Sequence, residues 1–498
     1  MKLRLAAAAL LLATPALAGP DSDTKAWWAL TTQLSDDSMA GRDTGSPEHA
    51  RAVALVVARF QAAKLQPAGD NGGWIQTLAL KEVKIEAAGT TITIVAPDGS
   101  ATPLKFLHDI APTAARGLPA IDAPLRFAGY CGKAEVAGLA GKVAVCFGNR
   151  RPGAPLAGER LANVTAAGAV ALITIADPGF SLEPPRWPVA YARSVSFAAA
   201  AEPRALPQFS LNADALPAMM AGTGRLPAAL ITDGGFQRPL DSFDLPGRFR
   251  ATLALSERTY TSDSVLARLP GTDPALAKQA VLLSAHIDGY GTGEPVKGDA
   301  IYNGTYDNAA YVATLVRLAE RRGGRGYRRP LVFAAFTGEE KGLLGARWFV
   351  RQPTVPLADL AAVINLDQLR PIFPLRALTM HGLTTSTLGA TATEVARAMK
   401  IAIRPDREPE RNLNQRTDHW PFLEAGVPAT SFVFAYDPRS PEERIYRDWA
   451  IRFYHRPQDD PKQPIDFKAA RDFNRFFEKL VESVADGATR PKMLAPAK

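Results

Sequence analysis

Cysteine occurs only twice in the 498 residues, at Cys131 and Cys146, and histidine only six times. A zinc site built on the cysteine pair would need further ligands, and none lie near it. The two cysteines fall in neighbouring strand-like segments, residues 125–130 and 142–147, so an oxidising compartment would permit a bridge. Register decides between that bridge and two free thiols, and register is not legible in the sequence. No cysteine follows Ala16-Leu17-Ala18, which argues against a lipid anchor. Beyond the N-terminus no run is long and apolar enough to cross a bilayer. Aromatic residues are not interleaved with basic ones, so nucleic acid is not an expected partner. Forty prolines argue against long helical repeats.

What is present is ordinary globular composition, 47% hydrophobic and 22% charged, enough for a large core. The length exceeds one average domain, and two units are expected. Lys2 and Arg4, the apolar residues 5–12 and the small-residue stretch at 16–18 read as a secretory signal covering 1–18. The mature protein is therefore expected to be periplasmic or secreted, without stable membrane insertion. Losing Lys2 and Arg4 lowers the formal charge of +8 by two. The remaining excess is scattered and is densest at residues 321–329, which read as a solvated loop.

Residues 26–34 look helical, and Ser46-Pro47-Glu48 opens a second helix with serine as cap and proline in the first turn. Val53, Val56, Val57 and Phe60 recur at helical spacing, so that helix buries one face. Residues 91–95 alternate like a strand. From residue 119 to 233 the chain is rich in proline and short β runs (124–128, 143–147, 170–175) around a small helix near 159–167. It carries no cluster of ligands and reads as an inserted β-rich unit between an N-terminal part, 19–118, and a main part, 234–490. In the main part, apolar runs at 280–284, 331–336 and 361–366 alternate with helices at 309–321 and 343–350. This is an α/β pattern: a mixed, mainly parallel sheet with helices on both faces. A last helix, 467–485, carries the apolar stripe Phe473, Phe476, Leu480 and Val484.

Ligand-type side chains follow those strands, where open α/β sheets place their sites. They are His286 and Asp288, Asp307, Glu339 and Glu340, Asp367, and His455 with Asp459. Two catalytic zinc ions need a bridging carboxylate and ligands of their own. Asp307 is the bridging candidate; His286 and Asp367 would complete one ion, Glu340 and His455 the other. Two adjacent acids after an apolar run would be costly without cations to balance them. Neighbouring side chains diverge, so Glu340 is assigned as ligand and Glu339 as general base toward water. Asp288, two residues after His286, is expected to accept the imidazole's other N–H and fix its tautomer. Asp459 is expected to serve His455 in the same way.

These segments resemble metallopeptidase family 28, the co-catalytic zinc aminopeptidases. The similarity lies in Ser284-Ala285-His286-Ile287-Asp288, in residues 301–309 around Asp307-Asn308, in Phe336-Thr337-Gly338-Glu339-Glu340-Lys341-Gly342-Leu343, in Asn365-Leu366-Asp367, and in Tyr454-His455-Arg456-Pro457. Residues 39–46 are similar to the N-terminal segment of longer members, and 119–233 to the protease-associated domain that those members carry as an insertion. The resemblance implies a zinc aminopeptidase (phosphorylase/hydrolase-like) fold, two zinc ions per chain, peptide substrates and a cis Asp307–Asn308 peptide. It also places Asp418 and His419 near the site, with His455 rather than His419 as the ligand. Asn303-Gly304-Thr305 matches a glycosylation sequon that a glycan would turn into a blocked site, so it is read as chance. Tyr306, Tyr290 with Gly289, and Gln368 depart from the family pattern near the expected pocket.

Carboxypeptidase, dipeptidase or glutaminyl cyclase work on the same scaffold is the competing enzymatic reading. A terminal carboxylate would need a basic patch, for which Arg404, Arg407, Arg411 and Arg416 are candidates. A non-catalytic binding protein is the third reading, though all six key side chains are retained. Tyr436 and Tyr446 are the candidates for assisting an oxyanion. Side-chain preference and oligomeric state are not encoded legibly.

Overall fold

The computed structural model describes residues 21–149, 151–178, 192–200, 206–367 and 369–495. Residues 1–18, expected to be a signal segment, and Gln368 lie outside them. At the centre, the strand Ala280–His286 runs parallel to Leu331–Phe336 on one side and to Leu360–Asn365 on the other. Leu360–Asn365 is parallel to Ala429–Phe434, which pairs antiparallel with Ala377–His381. Leu331–Phe336 pairs antiparallel with the end of a long strand, Ser242–Leu269.

Every residue of the three central strands is buried, which is why they read as unbroken apolar runs rather than as alternation. Val281, Leu283 and Ala285 face one core with the helices Ser22–Leu34, Pro47–Ala62, Ala310–Arg322 and Phe467–Ala485. Ala280 and Leu282 face a second core with Phe349 of the helix Leu344–Arg351 and with Trp420 and Phe422. The expected cap at Ser46 is made, its hydroxyl accepting from the His49 amide at 3.0 Å. Phe473, Phe476, Leu480 and Val484 are all buried, each contributing roughly 1.5–3 kcal/mol of apolar burial.

Local departures have local causes. The first helix starts at Ser22, because the Asp21 side chain accepts from the Thr24 amide. The strand expected at 91–95 is the end of a longer one, Ile75–Val95. Arg329, expected in a solvated loop, is buried and donates to the Val484 and Gly487 carbonyls at the end of the last helix.

Ile75–Val95 and Ser242–Leu269 form an antiparallel ribbon, from Ile75 opposite Val265 to Val95 opposite Arg248. Ser242–Leu269 also pairs with Ile121–Ala128, which continues the same sheet into a run of parallel strands, Ile121–Ala128, Val143–Gly148, Ala171–Ala176 and Gln208–Leu211. Its core includes Phe127, Val145, Phe147, Ile173 and Phe209, together with Ile92, Ile94 and Phe249 from the ribbon itself. Cys131 and Cys146 are joined by a disulfide there, with Cα atoms 5.6 Å apart.

Candidate metal centre

His286 ends the first central strand, Glu339 and Glu340 follow the second, and Asp367 follows the third. All sit at the carboxyl ends of parallel strands, where side chains from separate strands converge. Asp307 arrives from a different direction, in the irregular turn Thr305–Ala309 that opens the helix Ala310–Arg322. Gly304 before it has φ +60, and a Cβ there would meet the Asp307 carbonyl oxygen at 2.3 Å. Only glycine fits that approach. The Asp307–Asn308 peptide is cis. His455 follows the helix Pro441–Arg452.

The Asp307 carboxylate divides between two histidines. Its Oδ1 lies 3.3 Å from His286 Nε2, and its Oδ2 lies 3.3 Å from His455 Nε2. Asp367 Oδ1 is 3.7 Å from His286 Nε2, and Glu340 Oε2 is 3.9 Å from His455 Nε2. The ligand atoms of His286, Asp307 and Asp367 all fall within 4.8 Å of one another, as do those of Asp307, Glu340 and His455. Those are the two trios expected from the sequence, sharing Asp307; a third group, His286 with Glu339 and Glu340, meets the same distance. Glu339 Oε2 stands 3.9 Å from His286 Nε2, beside the cluster.

The donors fit cations. His286 Nε2, Glu340 Oε1 and both Asp367 oxygens are buried and have no hydrogen-bond partner. Unpaired buried polar atoms are costly, and a pair of divalent ions would satisfy this set of nitrogen and oxygen donors. The protonation equilibria report the same crowding. Burial pushes Glu339 well above the usual carboxylate range, and Asp367, Glu340 and Asp418 push it further. Burial and then Asp307 raise Glu340 to about 7. Burial alone would lower His286, yet Glu339, Asp307 and Asp367 outweigh it and hold the imidazole well above its ordinary value. Burial opposes charge on Asp307 as well, but His286 and His455 keep it below the usual range.

Several supporting roles differ from expectation. The carboxylate of Asp288 stands 3.8 Å from His286 Nδ1, whereas the Asp288 backbone carbonyl lies at 3.1 Å. The strand ends at His286, so the rule that alternate residues share a face no longer applies at Asp288. The carboxylate instead accepts from the Glu339 amide at 3.1 Å and from the Thr44 hydroxyl at 2.9 Å. It therefore orients the segment that carries Glu339. Asp459 does not pair with His455; it accepts the amides of Tyr306 and Asp307 at 2.9 and 3.1 Å, fixing the bridging turn. Tyr306 is not a pocket wall. Its ring is buried between Trp28 and Trp449, and its hydroxyl donates to the Pro464 carbonyl.

His419 is buried away from the ligand atoms, stacked on His381 and bonded to Thr417 and Asn414. Asp418 is fully buried, and its carboxyl is raised well above the usual range by burial. Tyr436 donates to Glu408, and Tyr446 accepts from Arg370. Both line a separate cavity of about 220 Å³ with Arg404, Arg407 and Arg411. Asn303 is buried, its amide donating to the Ser35 carbonyl and to Asp37, a position closed to a glycan.

The structure adds residues that sequence reasoning left without a role. Tyr290 places its hydroxyl 3.2 Å from His455 Nε2, and Lys341 Nζ lies 5.0 Å from its ring centre. Arg42 is fully buried and donates to the carbonyls of Leu34, Ile287, Asn303 and Gly304. Its only sequence signal was an arginine beside Gly41 in the 39–46 segment. The ligand cluster opens into a cleft of about 410 Å³ whose walls include Tyr290, Leu343, Arg347, Arg416 and Tyr454.

Residues 264–481 match the model of peptidase family M28. A probable zinc metalloprotease of Pyrenophora tritici-repentis is 31% identical over 167 residues, which make up 28% of this chain and 38% of that protein. A vacuolar membrane protease of Lachancea thermotolerans is 32% identical over 109 residues, 22% of this chain and 10% of that protein. The chain thus spans well under half the length of these curated relatives. Among solved structures, an aminopeptidase from Aneurinibacillus sp. strain AM-1 superposes with a TM-score of 0.62 at 16% identity, covering 96% of both chains. A zinc aminopeptidase from Bacillus subtilis gives 0.60 at 18% identity, covering 94% of this chain and 97% of that one. Both share the mixed α/β fold described above. The matched residues 264–481 carry all six converging side chains, so the likeness to peptidase family M28 falls on the cluster itself.

Proposed function

We propose that the protein is a periplasmic or secreted metallo-aminopeptidase that removes N-terminal residues from peptides with two zinc ions. The observation that carries this reading is the divided carboxylate of Asp307, one oxygen facing His286 and the other His455 at 3.3 Å each. His286 and Asp367 would hold one ion, Glu340 and His455 the other, with Asp307 between them. When bound, zinc supplies Lewis acidity, lowering the pKa of water and polarising the scissile carbonyl.

The chain's own residues do the rest. Glu339, beside the cluster but not needed for either trio, accepts the proton of the attacking water and hands it to the leaving amine. Asp288 holds Glu339 in place through its amide. Asp459 fixes the turn that carries Asp307. The free amine of the substrate is held by the acidic end of the cleft. The charged, apolar and small-residue pattern of residues 1–18 supports export, as does the Cys131–Cys146 disulfide. Among the described residues no helix is long and apolar enough to cross a membrane. We assign residues 119–233 to an inserted protease-associated-like unit.

Incubating the purified protein with a panel of amino-acyl p-nitroanilides, with and without a chelator, tests the reading. Chelator-sensitive release from at least one member is expected. Absence of release across the panel would overturn it.

A further inference from the structure

The strand Arg193–Phe197 lies within residues 119–233, yet Phe197 is not part of their core. The strand pairs antiparallel with residues 80–84 of the ribbon, and Phe197 is buried with Leu78, Leu80 and Leu344. Leu344 and Trp348 belong to the helix that follows the Glu339-Glu340 turn, and the Trp348 ring centre lies 5.3 Å from that of Phe197. At the other end of the strand, Arg193 grips Asp43 with both arms of its guanidinium, Nη1 to Oδ2 at 2.7 Å and Nη2 to Oδ1 at 2.6 Å. The two side chains are only 10% and 17% exposed, so this fork is far less screened than a surface pair.

Asp43 and its neighbour Thr44 both reach toward the turn that carries Glu339 and Glu340. Asp43 Oδ1 faces the buried Lys341 ammonium at 3.5 Å, one residue beyond Glu340. The Thr44 hydroxyl donates to Asp288 at 2.9 Å, and Asp288 accepts the Glu339 amide at 3.1 Å. The turn Glu339–Lys341 itself lies between Gly338 at φ +68 and Gly342 at φ +106. Glycine restrains the backbone least, so the place of this turn is set by what touches it from outside.

We infer that Arg193 is a positioning residue: through Asp43 it holds Lys341, and with it the turn that presents Glu339 and Glu340 to the cluster. Two parallel bonds from a guanidinium fix the orientation of a carboxylate, whereas a lysine ammonium alone acts as a point charge. Residues 119–233 thereby contribute to the geometry of a cluster to which they supply no ligand. The kinetic consequence rests on the aminopeptidase reading above; the effect on the turn does not.

The test compares the full chain carrying Arg193→Gln, Arg193→Lys or Asp43→Asn, with Arg258→Gln as control, since Arg258 pairs with Glu82 from an exposed position. Hydrogen exchange of the metal-free protein reads the turn directly. Residues 337–343 are expected to exchange about tenfold faster in Arg193→Gln and in Asp43→Asn, less so in Arg193→Lys, and at the original rate in Arg258→Gln. The double variant Arg193→Gln, Asp43→Asn should match the single ones, because both act through one contact. In the zinc-loaded protein, Arg193→Gln should lower kcat about tenfold or more while KM stays nearly unchanged. A lower melting temperature with unaltered exchange at 337–343 would make the fork a structural staple and overturn the inference, as would an undiminished kcat. If Arg193→Gln does not fold, Arg193→Lys and Asp43→Asn decide by the same two readouts. Failure of the unsubstituted protein to hydrolyse any amino-acyl p-nitroanilide would count against the aminopeptidase reading alone, and the exchange result would still stand or fall by itself.

Discussion

Arg42 donates to the carbonyl of Ile287 at 3.0 Å, one residue beyond His286, and the same guanidinium reaches Asn303 and Gly304 at 2.7 and 3.0 Å, just ahead of Asp307. One buried cation thus sets the spacing between His286 and Asp307. Replacing Arg42 with alanine leaves those carbonyls without their donor, at a cost of roughly 3 kcal/mol or more. Lysine would recover little, since one ammonium does not reproduce the fork. Urea unfolding of the metal-free protein reads the stability, and zinc titration reads the spacing; unchanged zinc affinity in both variants would refute the positioning role.

On the proposed mechanism, exchange of Glu339 for alanine should lower kcat by about 10²–10⁴ while the zinc content per chain stays unchanged. Metal analysis and steady-state kinetics on the same preparation check both halves. An undiminished rate would remove Glu339 from the mechanism.

Metal-stripped protein should lose stability as pH rises. Glu340 is raised to about 7 and Asp459 to about 6, each first by burial, from ordinary values of 4.5 and 3.8. Between those ordinary and raised values the folded chain keeps protons that the unfolded chain has released, so alkali favours unfolding. Thermal melts in chelator should show a lower midpoint at pH 8 than at pH 5, and added zinc should restore it by mass action. A flat or inverted profile contradicts this.

Reducing Cys131–Cys146, which closes a loop of sequence separation 15, should cost about 3 kcal/mol within the β-rich unit. Hydrogen exchange should show the loss around residues 121–148 and spare the central strand Ala280–His286. Equal loss at both places would show that the two cores unfold as one.

The central strands and the side chains that converge beyond them were legible because each rests on a local rule. Residues 331–336 are wholly apolar since helices cover both faces, and His286, Glu340 and Asp367 follow such runs at the strand ends. The partners of those ligands were not legible. Asp288 was assigned to His286 by strand periodicity, but the strand stops at His286 and the carboxylate turns to the Glu339 amide. Asp459 serves the Tyr306 and Asp307 amides, which lie about 150 residues earlier in the chain and leave no spacing signal. Arg42 was hidden for the same reason, because its acceptors are carbonyls and any sequence supplies those.

Val95 and Arg248 stand opposite each other across the ribbon, so the chain leaves the catalytic sheet and returns to it through two adjacent points. Everything between them is an excursion with its feet side by side. A tight turn spliced between those positions would shorten the protein by roughly a third, but it would also remove Arg193–Phe197, which pairs with Leu80–Lys84 and sets Arg193 on Asp43 and Phe197 on Trp348. The excursion is therefore anchored back onto the half that carries the ligand-type cluster, and its content is constrained at those anchors.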